Sequence, residues 1–233
     1  DSLREYCHGL ENLLSLLICA PVYGQPMMPF VESVQWTNEV LLGSGLDFDI
    51  LYIKGESLVQ RARNNAVCTF LETTYDRLLF IDADLEFTPQ DIEKLWNLDV
   101  PVCCASYPMK KMGIKTTAWK DGELVNLDQL DGPTEIDYAA TGFLMVKREV
   151  FEEMKVAYPE KRHMEGLPDG NFEDRRESFA WFDPRVTKGQ FSDERVYLSE
   201  DYAFSEDYRA MGGKIILEPS IKLKHYGTYG YGE

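Results

Sequence analysis

The sequence is short of positive charge. Its 24 Lys and Arg residues stand against 40 Asp and Glu, a formal net charge of −16 over 233 residues. That excess repels phosphate backbones and anionic lipid, which argues against nucleic acid and membrane surfaces as partners. Long apolar runs are missing too. The run over 13–22 is too short to span a bilayer and lacks a basic flank, so it reads as a buried strand, and no membrane insertion is expected. Cysteine is sparse: Cys7, Cys19, Cys68, Cys103 and Cys104 form an odd set with no C-x-x-C spacing. Three of them lie in apolar runs, so buried reduced thiols are expected, with a reducing, cytoplasmic setting. An initiator methionine is absent, and the chain is expected to have been cut from a longer protein.

What remains is ordinary globular composition: 44% hydrophobic, 27% charged and 12% aromatic. The length suits one domain, 1–233, with a real core. "LLSLLICAPVYG" (13–24) is a short apolar run ended by Pro and Gly, as a central parallel strand would be. A helix is expected over 28–42 and a second strand over 47–55. Ser57 and Gln60 have capping-box spacing for a further helix. Val59, Ala62, Ala66, Phe70 and Leu71 share one face of it, with Arg61, Asn64 and Asn65 off that face. "DRLLFIDADLEF" (76–87) is a third strand. Thr88, Pro89 and Asp91 open the next helix, and "PVCCASYP" (101–108) is a fourth strand.

Strand and helix therefore alternate to about residue 108, which predicts an α/β fold with a doubly wound parallel sheet. Ligands in such sheets bind beyond the carboxyl ends of the strands, here 21–24, 54–56, 82–86 and 107–110. The second half is less regular. A hairpin is expected at Asp121-Gly122, and "IDYAATGFLMVKREVFEEM" reads as strand, Gly, strand, helix. Residues 159–195 are charged and aperiodic, which suggests a long mobile loop. "SEDYAFSEDYRAMGG" is a helix closed by Gly212-Gly213. "KIILEPSIKLKHYG" is a final strand pair before an aromatic, Gly-rich tail.

Asp82 and Asp84 carry the first chemistry. Two carboxylates two residues apart, just past a buried strand, can both reach one ion, and hard oxygen ligands suit Mg²⁺ or Mn²⁺. A D-x-D alone is a common acidic turn; its place after "LLFI" strengthens it. An EF-hand count also puts Asp82, Asp84, Glu86 and Glu93 at ligand positions. That reading fails because Phe87 stands where the loop needs Gly, Pro89 follows, and a strand precedes.

Together, "ICAPVYG", "LVQRARNNAV", "LLFIDAD", "ATGFLMVKREVF", "SEDYAF" and "IKLKHYG" resemble, in order and spacing, the GT-A glycosyltransferases over nearly the whole chain. The resemblance implies a mixed, mostly parallel central sheet flanked by helices. It implies a nucleotide-binding half over about 13–108 and an acceptor-binding half, with a smaller β region, over about 109–233. It places Asp82 and Ala83 at the nucleotide and Asp82 and Asp84 at the metal, with Asp84 the firmer ligand. It also calls for a late histidine completing that metal site, and His225 fits. Imidazole favours Mn²⁺, with Mg²⁺ the alternative.

Pro21, Tyr23 and Lys54 lie where the family binds base and ribose. Arg61 is placed to meet a pyrophosphate near a helix start, although a solvated helix charge is its plainer reading; Asn64 or Asn65 stands beside it. Gly142, in "TGF", lines the donor-sugar pocket by resemblance; its other reading is a bulge in a strand. "SED" (199–201) resembles the acceptor-side acidic motif, with Asp201 as general base and Glu200 the alternate. The same tripeptide is an ordinary helix start and recurs at 205–207. Trp181 and Phe182 either stack on an acceptor sugar or anchor the core.

The expected reaction moves a sugar from a nucleoside diphosphate to a hydroxyl of a glycan or glycoprotein, with inversion. UDP-sugars are the favoured donors. The compact build is similar to bacterial and large-DNA-virus members, including chlorovirus enzymes acting on capsid protein, which would place it in host cytoplasm and make UDP-glucose or a UDP-deoxyhexose suitable donors. Two other readings compete. A sugar-1-phosphate nucleotidyltransferase needs a Gly-rich basic loop after the first strand, and "APVYGQPMM" has one Gly and no Lys or Arg. A non-catalytic glycan-binding module would not hydrolyse a donor.

Overall fold

The computed structural model describes residues 15–43, 47–111, 113–165, 176–189, 193–227 and 230–231. Cys7, the first residues of the 13–24 run, parts of the 159–195 stretch and most of the aromatic tail lie outside them.

The first half alternates as expected. β1 (Ser15–Val22) is followed by α1 (Met28–Leu42), β2 (Asp47–Lys54), α2 (Val59–Leu71) and β3 (Arg77–Ile81). A short β4 (Leu85–Glu86) then precedes α3 (Pro89–Leu98) and β5 (Val102–Cys104). Thr88 and Asp91 close a capping box at α3, with Pro89 in its first turn. No such box forms at α2. Leu58 is its N-cap residue, one position after the expected Ser57, and its N–H donates to Glu56 Oε1 at 3.0 Å.

The hairpin at Asp121-Gly122 joins β6 (Trp119–Lys120) to β7 (Glu123–Leu124). Both turn residues have positive φ, 52° and 82°, the mirror-image turn that matches strand twist. β8 (Thr134–Ile136), β9 (Phe143–Lys147) and α4 (Arg148–Ala157) follow. The 159–195 stretch is not one loop. Its described parts pair β10 (Arg162–Glu165) with β11 (Arg176–Phe179), and β12 (Arg185–Lys188) with β13 (Arg195–Leu198). α5 (Glu200–Ala210) ends before Gly212 at φ 88°. β14 (Ile215–Leu217), β15 (Lys224–Tyr226) and β16 (Gly230–Tyr231) complete the described chain, and β14 and β15 enter different sheets.

The main sheet runs β2-β1-β3-β9-β5-β14-β8. Three pairings are parallel (β1 with β2, β1 with β3, β14 with β5) and three antiparallel. The sheet is therefore mixed in its pairing. β9 inserts antiparallel between β3 and β5 because it returns from the far half of the chain, which strand–helix alternation up to residue 108 does not reveal.

Both faces are covered, so β1 reads as a continuous apolar run. Leu17 and Cys19 join a core with Ala66, Val67 and Phe70 of α2, Phe151 of α4 and Phe204 of α5. Leu16, Ile18 and Ala20 join a second core with Phe30 and Val34 of α1 and Ile92 and Leu95 of α3. The carboxyl ends of β1, β2, β3 and β5 and the start of β9 share one edge, since Ile81 pairs with Phe143 and Cys104 with Leu144.

Candidate active site

The D-x-D turn is built from backbone bonds at that edge. Asp82 N–H donates to the Gly142 carbonyl (2.9 Å) and Leu85 N–H to the Asp82 carbonyl (3.1 Å). β4 then pairs antiparallel with β15, placing His225 opposite Leu85, while Tyr226 N–H donates to the Asp84 carbonyl at 2.8 Å. This pairing brings a histidine from the far end of the chain to Asp84.

The two side chains meet in an unresolved way. His225 Nδ1 lies 2.9 Å from the Pro108 carbonyl. A carbonyl only accepts, so Nδ1 carries a proton; Nε2 is then a lone-pair nitrogen in the neutral ring and a donor in the charged one. Nε2 faces Asp84 Oδ1 at 3.4 Å, and that oxygen is buried without a hydrogen-bond partner. Either a cation or the ring's own second proton fits between Nε2 and Oδ1. Burial would raise the Asp84 carboxyl, but contacts with His225 and with Lys110 outweigh it and hold the carboxyl below its usual range. A backbone-fixed imidazole beside a carboxylate suits a transition-metal ligand pair.

Asp82 does not complete that pair. Its Oδ1 accepts from Arg63 Nη2 at 3.1 Å, and among the described residues no three His, Cys, Asp or Glu side chains converge tightly enough to hold an ion. Arg63 is the residue that sequence reasoning missed. Its side chain is 5% exposed and bridges Asp82 on one side and Glu200 on the other, joining the β3 exit to the N-terminus of α5. Burial would lower its pKa, yet Asp82, Glu200 and Asp201 together raise it. Its Nε has no partner. A signal was present: Arg63 lies four residues after Val59 and three before Ala66, inside the buried stripe.

Glu200 is raised by burial and further by Asp201, with Arg63 opposing. Asp201 Oδ1 accepts from the Ser199 hydroxyl and from Tyr202 N–H at 2.8 Å, which leaves Oδ2 outside both bonds. Glu200 thus pairs with Arg63 directly, while Asp201 acts on it only through its charge.

Gly142 owes its identity to crowding. A Cβ there would stand 2.3 Å from Tyr107 Oη and 2.7 Å from Asp82 Oδ2. Its N–H donates to Tyr107 Oη at 3.0 Å. Burial raises the Tyr107 phenol well above its usual range, Asp82 adds to that, and Arg63 opposes it.

A cleft of about 360 Å³ opens beside the D-x-D turn, lined by Pro21 to Gln25, Glu56, Ser57, Val59, Asp82, Ala83 and Asp84. A second hollow of about 370 Å³ adjoins it and shares Val22, Tyr23 and Gly24; its other walls include Phe30, Val34, Tyr52 and Lys54. Pro21, Tyr23, Asp82 and Ala83 therefore stand around the cleft, with Lys54 in the adjoining hollow that shares Tyr23 with it. Arg61 does not line it. It is 48% exposed and paired to Glu56 by Nε at 2.6 Å and Nη2 at 2.8 Å. Asn64 is buried, and its Oδ1 accepts from Phe182 N–H at 2.9 Å, which anchors the segment after β11 to α2. Trp181 and Phe182 are buried core residues, 1% and 0% exposed. Phe182 stacks on Phe204 at 4.8 Å, so neither is placed to stack on a sugar.

Among the described residues no helix is long and apolar enough to cross a membrane. No protein-family profile and no curated protein matches the chain. Among solved structures it is similar to A197 from STIV, at 19% identity over 92% of this chain and 86% of that one, with a TM-score of 0.56. Looser matches divide between two chemistries. One is a glycosyltransferase involved in the glycosylation of the major capsid of PBCV-1, at 13% identity over 68% and 70% of the two chains, with a TM-score of 0.36. The other is the inositol-1-phosphate CTP transferase from T. maritima, at 7% identity over 93% and 91%, with a TM-score of 0.42. The A197 likeness is one of fold, and the residues of the site must choose the chemistry.

Proposed function

We propose that the chain is a cation-dependent glycosyltransferase that moves a sugar from a nucleoside diphosphate, with UDP-sugars favoured, to a hydroxyl of a glycan or glycoprotein. The observation that carries this reading is the Asp84–His225 pair: His225 Nε2 lies 3.4 Å from a buried Asp84 Oδ1 that has no hydrogen-bond partner, with Asp84 in the wall of a cleft beyond the strand ends. Asp84 and His225 would hold the cation, Mn²⁺ first and Mg²⁺ second. Bound there, it would act as a Lewis acid that neutralises the charge growing on the departing diphosphate.

The chain's own residues divide the remaining work. Pro21, Tyr23, Lys54 and Ala83 line the space for the nucleotide. Arg63 fixes Asp82 on the donor side and Glu200 on the acceptor side. Asp201, with Oδ2 outside its local bonds, takes the acceptor proton, while Glu200 is tied to Arg63; a single displacement then inverts the anomeric centre. A nucleotidyltransferase is the competing enzyme class. The loop after β1 counts against it: it carries no Lys or Arg, and it is tied down by Met27 N–H donating to the Ala83 carbonyl at 2.9 Å.

Titrating UDP-, GDP- and dTDP-sugars with and without Mn²⁺, with binding and hydrolysis both read, tests the proposal. Cation-dependent binding and slow hydrolysis of one donor class are expected. The absence of cation-dependent binding across the panel would overturn it. Asp201→Ala should spare donor binding and abolish transfer.

A further inference from the structure

The segment after β5 makes three contacts to the Asp84–His225 pair. Pro108 supplies the carbonyl that fixes the imidazole, and the Tyr107 ring packs edge-on against His225 at 5.1 Å. Both contacts orient the histidine. The third does something else. The Lys110 ammonium sits on Asp84 Oδ2, from a side chain that is 40% exposed.

That ammonium lies on the carboxylate a divalent cation would use. An ion between Asp84 and His225 would meet a like charge beside it, and partial burial sharpens the repulsion. The cleft wall itself offers nothing positive: it contains Glu56, Asp82 and Asp84 and no Lys or Arg, and Lys110 reaches it only through Asp84. Lys54 belongs to the adjoining hollow, and Arg61 is committed to Glu56. A nucleoside diphosphate brought to this wall carries more charge than the ion's own neighbourhood offsets. Lysine suits a part that changes partner, since its ammonium is a point charge on a flexible four-carbon stem.

The geometry points to an exchange role for Lys110. In the unliganded protein it stands in for the cation on Asp84; when the cation enters, its ammonium turns to a phosphate oxygen of the nucleoside diphosphate. This inference rests on the cation-dependent donor binding proposed above, and it assigns that site a phosphate ligand from outside the D-x-D motif.

An exchange makes two effects of opposite sign, whereas a lysine that merely tethers its loop makes neither. Lys110→Met keeps much of the stem and removes the charge. Mn²⁺ affinity without nucleotide, read from the electron paramagnetic resonance of the free ion, should rise about two- to fivefold, the scale of one partly exposed charge contact. UDP affinity at saturating Mn²⁺, read by calorimetry, should fall by about tenfold, as for a lost charge-assisted bond. Lys110→Arg should keep both values near wild type. Unchanged Mn²⁺ affinity, or unchanged UDP affinity, in Lys110→Met overturns the exchange while leaving the site reading intact. Wild-type protein that binds no Mn²⁺ overturns both together.

Discussion

Gly142→Ala adds one methyl group at the most crowded point of the site. The new Cβ would lie 2.3 Å from Tyr107 Oη, 2.6 Å from its Cζ and 2.7 Å from Asp82 Oδ2. Ordinary contact needs about 3.5 Å, so Tyr107 must retreat by about 1 Å. It has little room to do so. Tyr107 is buried, its Oη accepts the Gly142 N–H, and its ring rests against His225. Overpacking of this kind, with a strained or lost buried hydrogen bond, should cost about 2–4 kcal/mol. For a chain of this size that is a melting-point drop of about 5–12 °C. Because the displacement runs into Asp82 and His225, cation and UDP affinity should fall as well. Urea unfolding with calorimetric titration measures both effects. Gly24→Ala is the control: it lies on the cleft wall with nothing within 4 Å of a Cβ, and it should change stability by less than about 0.5 kcal/mol. Stability of Gly142→Ala equal to that of the control would refute the crowding argument.

Other substitutions separate structure from chemistry. Arg63→Met leaves the partly buried carboxylates of Asp82 and Glu200 without their cation and should destabilise by up to about 3 kcal/mol in urea unfolding; Arg61→Ala, at an exposed pair, should cost less than about 1 kcal/mol. Asn64→Ala orphans the Phe182 N–H and should cost about 1–3 kcal/mol while UDP affinity stays at wild type. Burial pushes the Cys103 thiol up to about 12, and Cys19 and Cys104 higher still. These three should therefore resist a thiol reagent at neutral pH until the protein unfolds.

Some of this was legible in the sequence because it is local. The helix over 28–42, the helix start at Thr88-Pro89 and the Asp121-Gly122 turn each follow from a few adjacent residues, whereas the capping-box spacing of Ser57 and Gln60 does not produce a box. The residues that line the cleft follow almost as directly, since the ends of parallel strands share an edge. What stayed hidden depends on distant partners. Whether Asn64 faces a ligand or Phe182 is decided by a segment more than a hundred residues on. Arg61 and Arg63 differ by two positions, yet only one falls in the stripe that meets both Asp82 and Glu200. Trp181 sat in a charged, aperiodic stretch, but its indole is buried and donates to the Phe151 carbonyl at 3.2 Å. Asp82 and Asp84 look equivalent as letters, and β3 turns them towards different partners.

The cation site is the centre of the account, and Asp84 is its most exposed commitment. The direct measurement is a calorimetric titration of UDP into wild-type protein and Asp84→Asn, each with and without saturating Mn²⁺. The account predicts binding to the wild type only when Mn²⁺ is present, and no Mn²⁺ enhancement in Asp84→Asn at an unchanged melting temperature. Equal UDP affinity with and without Mn²⁺, or a full Mn²⁺ enhancement retained in Asp84→Asn, would contradict it.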